Sequence, residues 1–585
     1  MEFAAISHER SHLREKIMTR NFQLLPKSSL KLQNLLESNP QLFREIKGKI
    51  NGKNIFITSL LSVFIQTFII LLYFGQLPDI VRDRSQYSRY CTGLRGEYAS
   101  SSLCIRDING WAINWSLFWH DIFILFTIAS ICILLTVGTF MIISDLVKEE
   151  KTGTLNFIRL SPQSASNILL GKIWGVPILV NFFIATIFPL HFISGLKANI
   201  PWYLILLFDL IVIASCAFYY SFSALFSLLK IEKAELKPWI ATFILAFCLW
   251  ITTLLFFDNH IDNLLVEWIL IFNPITALTY VLDPLAIPSN LVDYMSVESL
   301  GQLLFYEQPL WSRATTGIGF ILFNYCLWTY WLWQGATHIF HNPTSTIFSK
   351  KQSYWLTGWF VFIALGFTIQ DIDRYSISNN FILLQFLLLI MFLGLVAALS
   401  PHRQTLYDWA RYRHQMSKDG QSLTQELVFG EKSPSTVAIA INAGIATIII
   451  AVGLLLFPFK EQVTNAIWGL VLTMGIILFY STVAQWMLLI KSNRRVIWAS
   501  ITVSLLIIGP PIFFAIAELT PQQAPLVWLF SFIPTVAIAE ASVSALVLGV
   551  LGQWLAITSV SFLMIKKLRK AGRSETKKLF GEMQA

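Results

Sequence analysis

SLFWHDIFILFTIASICILLTVGTFMIISDLVKEEKTGTLNFIRLSP, Ser116 to Pro162, is the stretch whose reading decides the fold. From Ser116 to Ser144 it is almost uncharged, and that is longer than the roughly 20 apolar residues a helix needs to cross a hydrocarbon layer. It then breaks into Asp145, Glu149, Glu150, Lys151, a Gly-Thr and a Ser-Pro, and a second apolar run follows. Runs and breaks of this kind recur along the whole chain. Hydrophobic residues make up 55% of its 585 positions and charged residues only 13%, with 14% aromatic residues and a mean hydropathy of +0.61. That composition excludes a soluble globular domain and predicts an all-α, polytopic membrane protein. The polar, charged first fifty residues do not read as a cleavable signal.

Twelve spans are expected, at 54–75, 116–144, 167–190, 202–229, 238–257, 314–335, 354–370, 380–400, 435–457, 465–490, 497–516 and 543–565. The apolar segment Leu264 to Tyr280 is short and broken by Pro274, which suits a re-entrant piece. Residues 1–53 hold ten Lys/Arg against five Asp/Glu, and the turns at 230–237, 350–351 and 491–495 and the tail 566–585 are basic. Short cytoplasmic loops collect positive charge, so both termini are expected in the cytoplasm of a cell, meaning plasma or inner, membrane. The stretch 258–312 has no Lys or Arg and seven acids, Asp258, Asp262, Glu267, Asp283, Asp293, Glu298 and Glu307, and is expected outside together with 76–115. The formal charge of +9 then follows from topology and contact with anionic lipid, and nothing points to nucleic acid.

Cys132, Cys216, Cys248 and Cys326 lie in spans and read as packing residues. Cys91 and Cys104 share the outside loop, where oxidising conditions permit a disulfide or leave two free thiols.

Two anchors indicate an internal repeat. LNFIRLSPQS (Leu155 to Ser164) follows the second span and LVFGEKSPST (Leu427 to Thr436) follows the eighth. WILIFNPITAL (Trp268 to Leu278) and WLFSFIPTVAI (Trp528 to Ile538) each lie between the fifth and sixth spans of their half. Two parallel six-span domains are therefore expected, 54–335 and 354–565, joined by a linker at 336–353. Ser161-Pro162 and Ser433-Pro434 read as helix starts, with Ser as N-cap and Pro at the first position.

Motifs for chemistry are few. There is no G-x-x-x-x-G-K-[ST]; LLGKIWG (Leu169 to Gly175) lacks both the leading Gly and the hydroxyl residue that would hold magnesium. No ATP hydrolysis is expected on this chain. His338 and His341 form a weak metal spacing, so no metal site is assigned. His120-Asp121, at the outer edge of the second span, reads as a solvated interface. Asp209 lies well inside a span, where a carboxylate is either functional or hydrogen-bonded to a neighbouring helix. After the second span, Gly153 permits a sharp turn into a short amphipathic helix with Leu155, Phe157 and Ile158 as its apolar ridge.

The run Glu149-Glu150-Lys151-Thr152-Gly153-Thr154-Leu155, then Ser161-Pro162 and a span beginning LLGK, resembles the coupling segment of ABC exporter permeases of the second type. FNPITALTYVL (Phe272 to Leu282) resembles the Asn-Pro motif of that family's re-entrant hairpin, and Leu24 to Lys49 resembles its cytoplasmic amphipathic helix. The resemblance implies the membrane part of an exporter, with ATP and magnesium bound by a separate ATP-binding subunit, present as two copies or a heterodimer. It implies docking through Glu149, Glu150, Gly153, Thr154, Leu155 and Phe157, and through the repeat Leu427 and Phe429. Asn273, Pro274 and Pro534 would shape the outer gate. The second half departs from the pattern, since it lacks the Gly-Thr and has Ile533 before Pro534. An ion-gradient-driven twelve-span transporter is the alternative, and Asp209 with His120 and Asp121 would have to serve it. A membrane enzyme would need a cluster of His, Asp or Glu at one depth.

Overall fold

The computed structural model describes residues 39–78, 87–93, 102–107, 110–229, 234–258, 268–282, 304–369, 374–415, 423–456 and 463–582. Most of the expected amphipathic segment before residue 39 lies outside them, as do Asp262, Glu267, Asp283, Asp293 and Glu298. A short helix, α1 (Pro40–Lys49), precedes α2 (Gly52–Phe74). After the loop that follows α2 come α3 (Trp115–Thr152), α4 (Thr154–Arg159), α5 (Ala165–Gly175), α6 (Ile178–Lys197), α7 (Trp202–Leu228), α8 (Lys237–Asp258) and α9 (Ala314–His341). The second half holds α10 (Lys350–Thr368), α11 (Arg374–Leu399), α12 (Arg403–Gln415), α13 (Leu423–Phe429), α14 (Thr436–Leu456), α15 (Val463–Leu488), α16 (Arg495–Ile516) and α17 (Val543–Glu582).

The chain is an all-α polytopic membrane protein. Among the described residues ten helices are long and apolar enough to cross a membrane, and they fall on ten of the expected spans. The other two expected spans are helical as well, α9 and α10, but they fall outside the ten, α9 carrying Asn324, Gln334 and several Trp and Tyr, and α10 carrying Lys350, Lys351 and Gln352 in its first turn. Among the described residues the strands are two minimal hairpins in the loop between α2 and α3, Tyr87–Ser88 with Ser102–Leu103 and Arg106–Asp107 with Gly110–Trp111.

Three boundaries move. The second span does not stop at 144: α3 continues to Thr152, so its acidic last turns stand beyond the apolar part as a rigid extension. A π-helical turn at Ile133–Val137 interrupts it, and Tyr220 of α7 donates to Leu134 O there at 2.9 Å, meeting one of the carbonyls that such a turn loosens. The third span does not begin at 167, because the chain turns at Pro177, whose ring removes a helix donor, and the run divides into α5 and α6. The Ser-Pro pairs are not helix starts either. Ser164 caps α5, accepting from Asn167 N at 3.3 Å, while Ser161 Oγ donates back to Ile158 O at 2.7 Å and closes α4. Ser433 does the same after α13, donating to Glu426 O (2.7 Å) and Gly430 O (2.9 Å).

Many large side chains on α2 and α16 face outward, among them Phe64, Leu71, Leu505 and Ile512. In lipid such exposure carries no hydrophobic penalty. The interior is built around α7, which packs on α3 and α9. An aromatic joint links the halves: Trp268 meets Phe360 and Phe367, and Phe367 meets Phe305 and Phe320. One end of the bundle, the basic end, carries α1, α4, α12 and α13; there Arg159 stacks on Phe340, Ile347 N reaches Ala398 O, and Tyr407 reaches Leu489 O. The opposite end carries the loop closed by the Cys91–Cys104 disulfide, with Cα atoms 4.8 Å apart.

Candidate functional site

The polar break forms one of the most tightly tied places in the structure. Gly153 adopts a left-handed φ of 75°, where a Cβ is disfavoured, and this one residue turns α3 into α4. Thr154 Oγ1 donates to Glu149 O at 3.2 Å and takes up one carbonyl of the last turn of α3. The six-residue α4 thus hangs on the rigid end of one span and leads through Ser161-Pro162 into the next.

Its faces differ from the sequence expectation. Phe157 is 78% exposed and the neighbouring Leu160 84% exposed, so they are what a partner could touch. Leu155 is only 2% exposed and belongs to the core, because α4 lies with that side against the bundle. Glu150 and Thr154 remain accessible, Glu150 in part. Glu149 does not, since it points inward to a lysine.

That lysine is Lys172 of α5, with its side chain 1% exposed. Its ammonium lies 2.7 Å from Glu45 of α1, 2.6 Å from Asp145 of α3 and 2.7 Å from Glu149 of α3. Arg44 adds bonds to Glu149 and Glu45, and Lys49 lies 3.1 Å from Glu45. Three cations therefore face three carboxylates. The three acids come within 4.8 Å of one another, a spacing that suits a cation, and the ammonium of Lys172 supplies it. Burial by itself would raise the Glu45 carboxyl, but Lys172 and then Lys49 hold it down at about 2.

Helix α1 reaches this cage because α5 lets it close in. A Cβ on Gly171 would lie 2.7 Å from Leu42 N, and one on Gly175 would lie 2.6 Å from the Glu45 Cβ. The Gly-x-x-x-Gly of LLGKIWG is a docking face for α1, with the lysine between its glycines supplying the charge. Asn39 caps α1 through Leu42 N (3.0 Å) and donates to Asn167 O (2.7 Å). At the far end Lys49 donates to Val176 O at 3.1 Å and satisfies an orphan carbonyl after α5. Lys172, Gly171, Gly175, Arg44 and Glu45 were not singled out from the sequence, although the small-xxx-small spacing was visible.

The corresponding segment of the second half is held differently. Lys350, at the start of α10, is buried and donates to Leu427 O (2.7 Å), Ser433 Oγ (2.6 Å) and Pro434 O (3.1 Å). Tyr354 donates to Val428 O at 2.7 Å. Leu427 is half-buried, while Phe429 is 56% exposed and corresponds to Phe157. Glu426 is taken by Trp409 (3.0 Å) and Arg413 (3.4 Å), and His338 by Thr346 O (2.8 Å) and Glu431 (3.4 Å).

At the opposite end, Asn273 is buried, accepts from Ile275 N to start the turn at Pro274, and donates to Thr252 (2.9 Å) and Thr253 (3.0 Å) of α8. Tyr219 and Tyr325 both donate to Phe272 O, at 2.7 and 2.9 Å. Asn273 thus ties the turn at Pro274 to α8. Pro534 is buried between the short helices Pro525–Trp528 and Thr535–Ile538, and Thr535 reaches Gln385 instead. His120-Asp121 is not a solvated interface. His120 is fully buried, and Asp121 takes two bonds from Arg89 (2.8 and 3.2 Å) and one from Tyr90 (3.1 Å), clamping the disulfide loop to α3. Asp209 lines a small cavity of about 60 Å³ with His191 and Thr127, and its Oδ2 is buried with no hydrogen-bond partner.

Comparison of the chain with family models, curated proteins and solved structures finds no match in any of the three. The class of protein that fold and composition define is a multi-pass helical membrane protein.

Proposed function

We propose that this chain is the membrane-spanning part of an ATP-driven ABC exporter, two six-span halves in one polypeptide, with ATP bound and hydrolysed by a separate subunit docked at the basic end. The observation that carries the reading is the pair of short helices, α4 and α13. Each lies between two spans at that end beside a buried lysine, Lys172 holding the end of α3 from which α4 hangs and Lys350 holding α13 itself, and each presents an exposed phenylalanine, Phe157 or Phe429. A helix fixed to its spans passes on a push, and a phenylalanine at its tip gives a partner something to bury. The basic loops at this end support a cytoplasmic position for it. The buried Asn273 turn and the Pro534 turn then lie at the outer ends of the two halves.

The twelve-span count takes α9 and α10 as spans, with Trp and Tyr at depths where neighbouring helices meet them. An ion-gradient-driven transporter is the second reading, favoured by one observation, the unpaired Asp209 Oδ2 beside His191. The test is co-expression of the full chain with ATP-binding subunits encoded by the same source, followed by co-purification and hydrolysis assays with Phe157→Asp and Phe429→Asp. A stable complex that stimulates hydrolysis and is lost on Phe157→Asp supports the exporter. Transport that needs no ATPase and stops when a proton or sodium gradient is collapsed overturns it.

A further inference from the structure

The two halves differ where their fifth spans begin. In the first half α8 packs directly on α3, with Ile143, Val147 and Ala241 buried together. In the second half α16 packs on α15 instead, and a cleft of about 400 Å³ lies between α11, α15 and α16 at the basic end. Its walls are apolar, including Val396, Leu488, Val503 and Ile507, while its mouth carries Arg403 and Arg495 and no lining residue is acidic. The Arg403 Nε is buried and has no hydrogen-bond partner, while its guanidinium stacks on Tyr407 at 4.7 Å.

We propose that this cleft binds an anionic phospholipid of the leaflet at the basic end, with the phosphate at Arg403 and Arg495 and an acyl chain along Val503 and Ile507. Charge selects the headgroup, since two guanidiniums at a membrane boundary with no carboxylate among the lining residues favour a phosphate. Depth selects the tail. From Arg495 to Ile507 is twelve residues of helix, about 18 Å at roughly 1.5 Å per residue, little more than half of a hydrocarbon core of about 30 Å. The cleft is thus about one leaflet deep, and α16 beside it turns Leu505 and Ile508 toward lipid. A bound lipid fills the space that α8 closes in the first half and holds α16 away from α11. The site does not depend on the transport reading; only the assignment of the leaflet to the cytoplasm does.

The test is native mass spectrometry of the purified full chain titrated with phosphatidylglycerol, with phosphatidylcholine and with inorganic phosphate. Phosphatidylglycerol is expected to be retained in preference to the other two. Retention should fall on the order of thirtyfold in Arg403→Gln/Arg495→Gln, since each cation near anionic lipid is worth a factor of roughly five. Ser504→Trp, which fills the cleft from its exposed side, should lower retention with both arginines in place, which keeps the test alive if the double variant does not fold. Arg494→Gln, exposed and outside the lining, should leave it unchanged. Equal retention of phosphatidylcholine, equal binding of phosphate alone, or a loss on Arg494→Gln as large as on the double variant would each overturn the proposal.

Discussion

Lys172→Met is the sharpest perturbation the structure offers. The side chain is 1% exposed and its ammonium touches three carboxylates at 2.6 to 2.7 Å. Methionine keeps much of the volume and removes the charge, leaving Glu45, Asp145 and Glu149 facing only Arg44 and Lys49, so three negative charges meet two positive ones. Removing one partner of a buried pair costs about 3–5 kcal/mol, and the cheapest relief is to release α1, which contributes Glu45 and is only ten residues long. A cost of about 3 kcal/mol raises the undocked population of α1 roughly a hundredfold. Hydrogen–deuterium exchange of residues 40–49 and 165–175 reads this directly, as a loss of about two orders of magnitude in protection while α7 and α9 stay protected. Adding Glu45→Gln should restore part of the protection, because it removes one of the stranded charges. If Lys172→Met leaves the exchange of residues 40–49 within a factor of about three of the wild type, the cage does not hold α1 and the reasoning fails.

Further outcomes follow from the same geometry. Gly175→Ala places a Cβ 2.6 Å from the Glu45 Cβ, so α1 should shift and protease should gain access to the bond region 39–51, with the other spans intact. Glu45 is held at about 2 against an ordinary 4.5, a depressed carboxyl, so its contribution to docking α1 is fully present above pH 4.5 and is lost as pH falls toward 2. Corrected exchange of residues 40–49 should accordingly be flat above pH 4.5 and in Glu45→Gln should lose its acid step. Phe157→Asp should weaken co-purification of an ATP-binding subunit about thirtyfold, as loss of an interface hot spot does, without lowering the thermal midpoint of the isolated chain. Asp121→Asn breaks the two-point bond with Arg89, so proteolysis in the loop 87–114 should quicken in the non-reduced protein and quicken further when the Cys91–Cys104 bond is reduced.

The long apolar runs made the helices legible, because roughly 20 apolar residues in sequence have few other stable states. Gly153 was legible for the same kind of local reason, since a glycine between two helical patterns marks a turn. The polar break after the second apolar run was legible as a place but not as a surface. Leu155 and Phe157 sit two residues apart in a short helix, and nothing local says that one is buried and the other 78% exposed. Glu149 read as an accessible acid for want of its partner, which lies 23 positions later in a helix that only the Pro177 turn sets apart. Ser161 and Ser433 carried a strong capping signal that went to the preceding helix, because a hydroxyl beside a proline can donate backward as readily as it accepts forward.

By itself the sequence determined that this chain crosses a membrane many times, where it breaks, and which breaks are basic, because hydropathy and charge act residue by residue. Only the tertiary structure decided that LLGKIWG is a docking face, that its lysine is the centre of a three-acid cage, and that α16 stands away from α11. Those depend on which helices meet and how closely, and that is settled by glycines and charges brought together from positions about 130 residues apart.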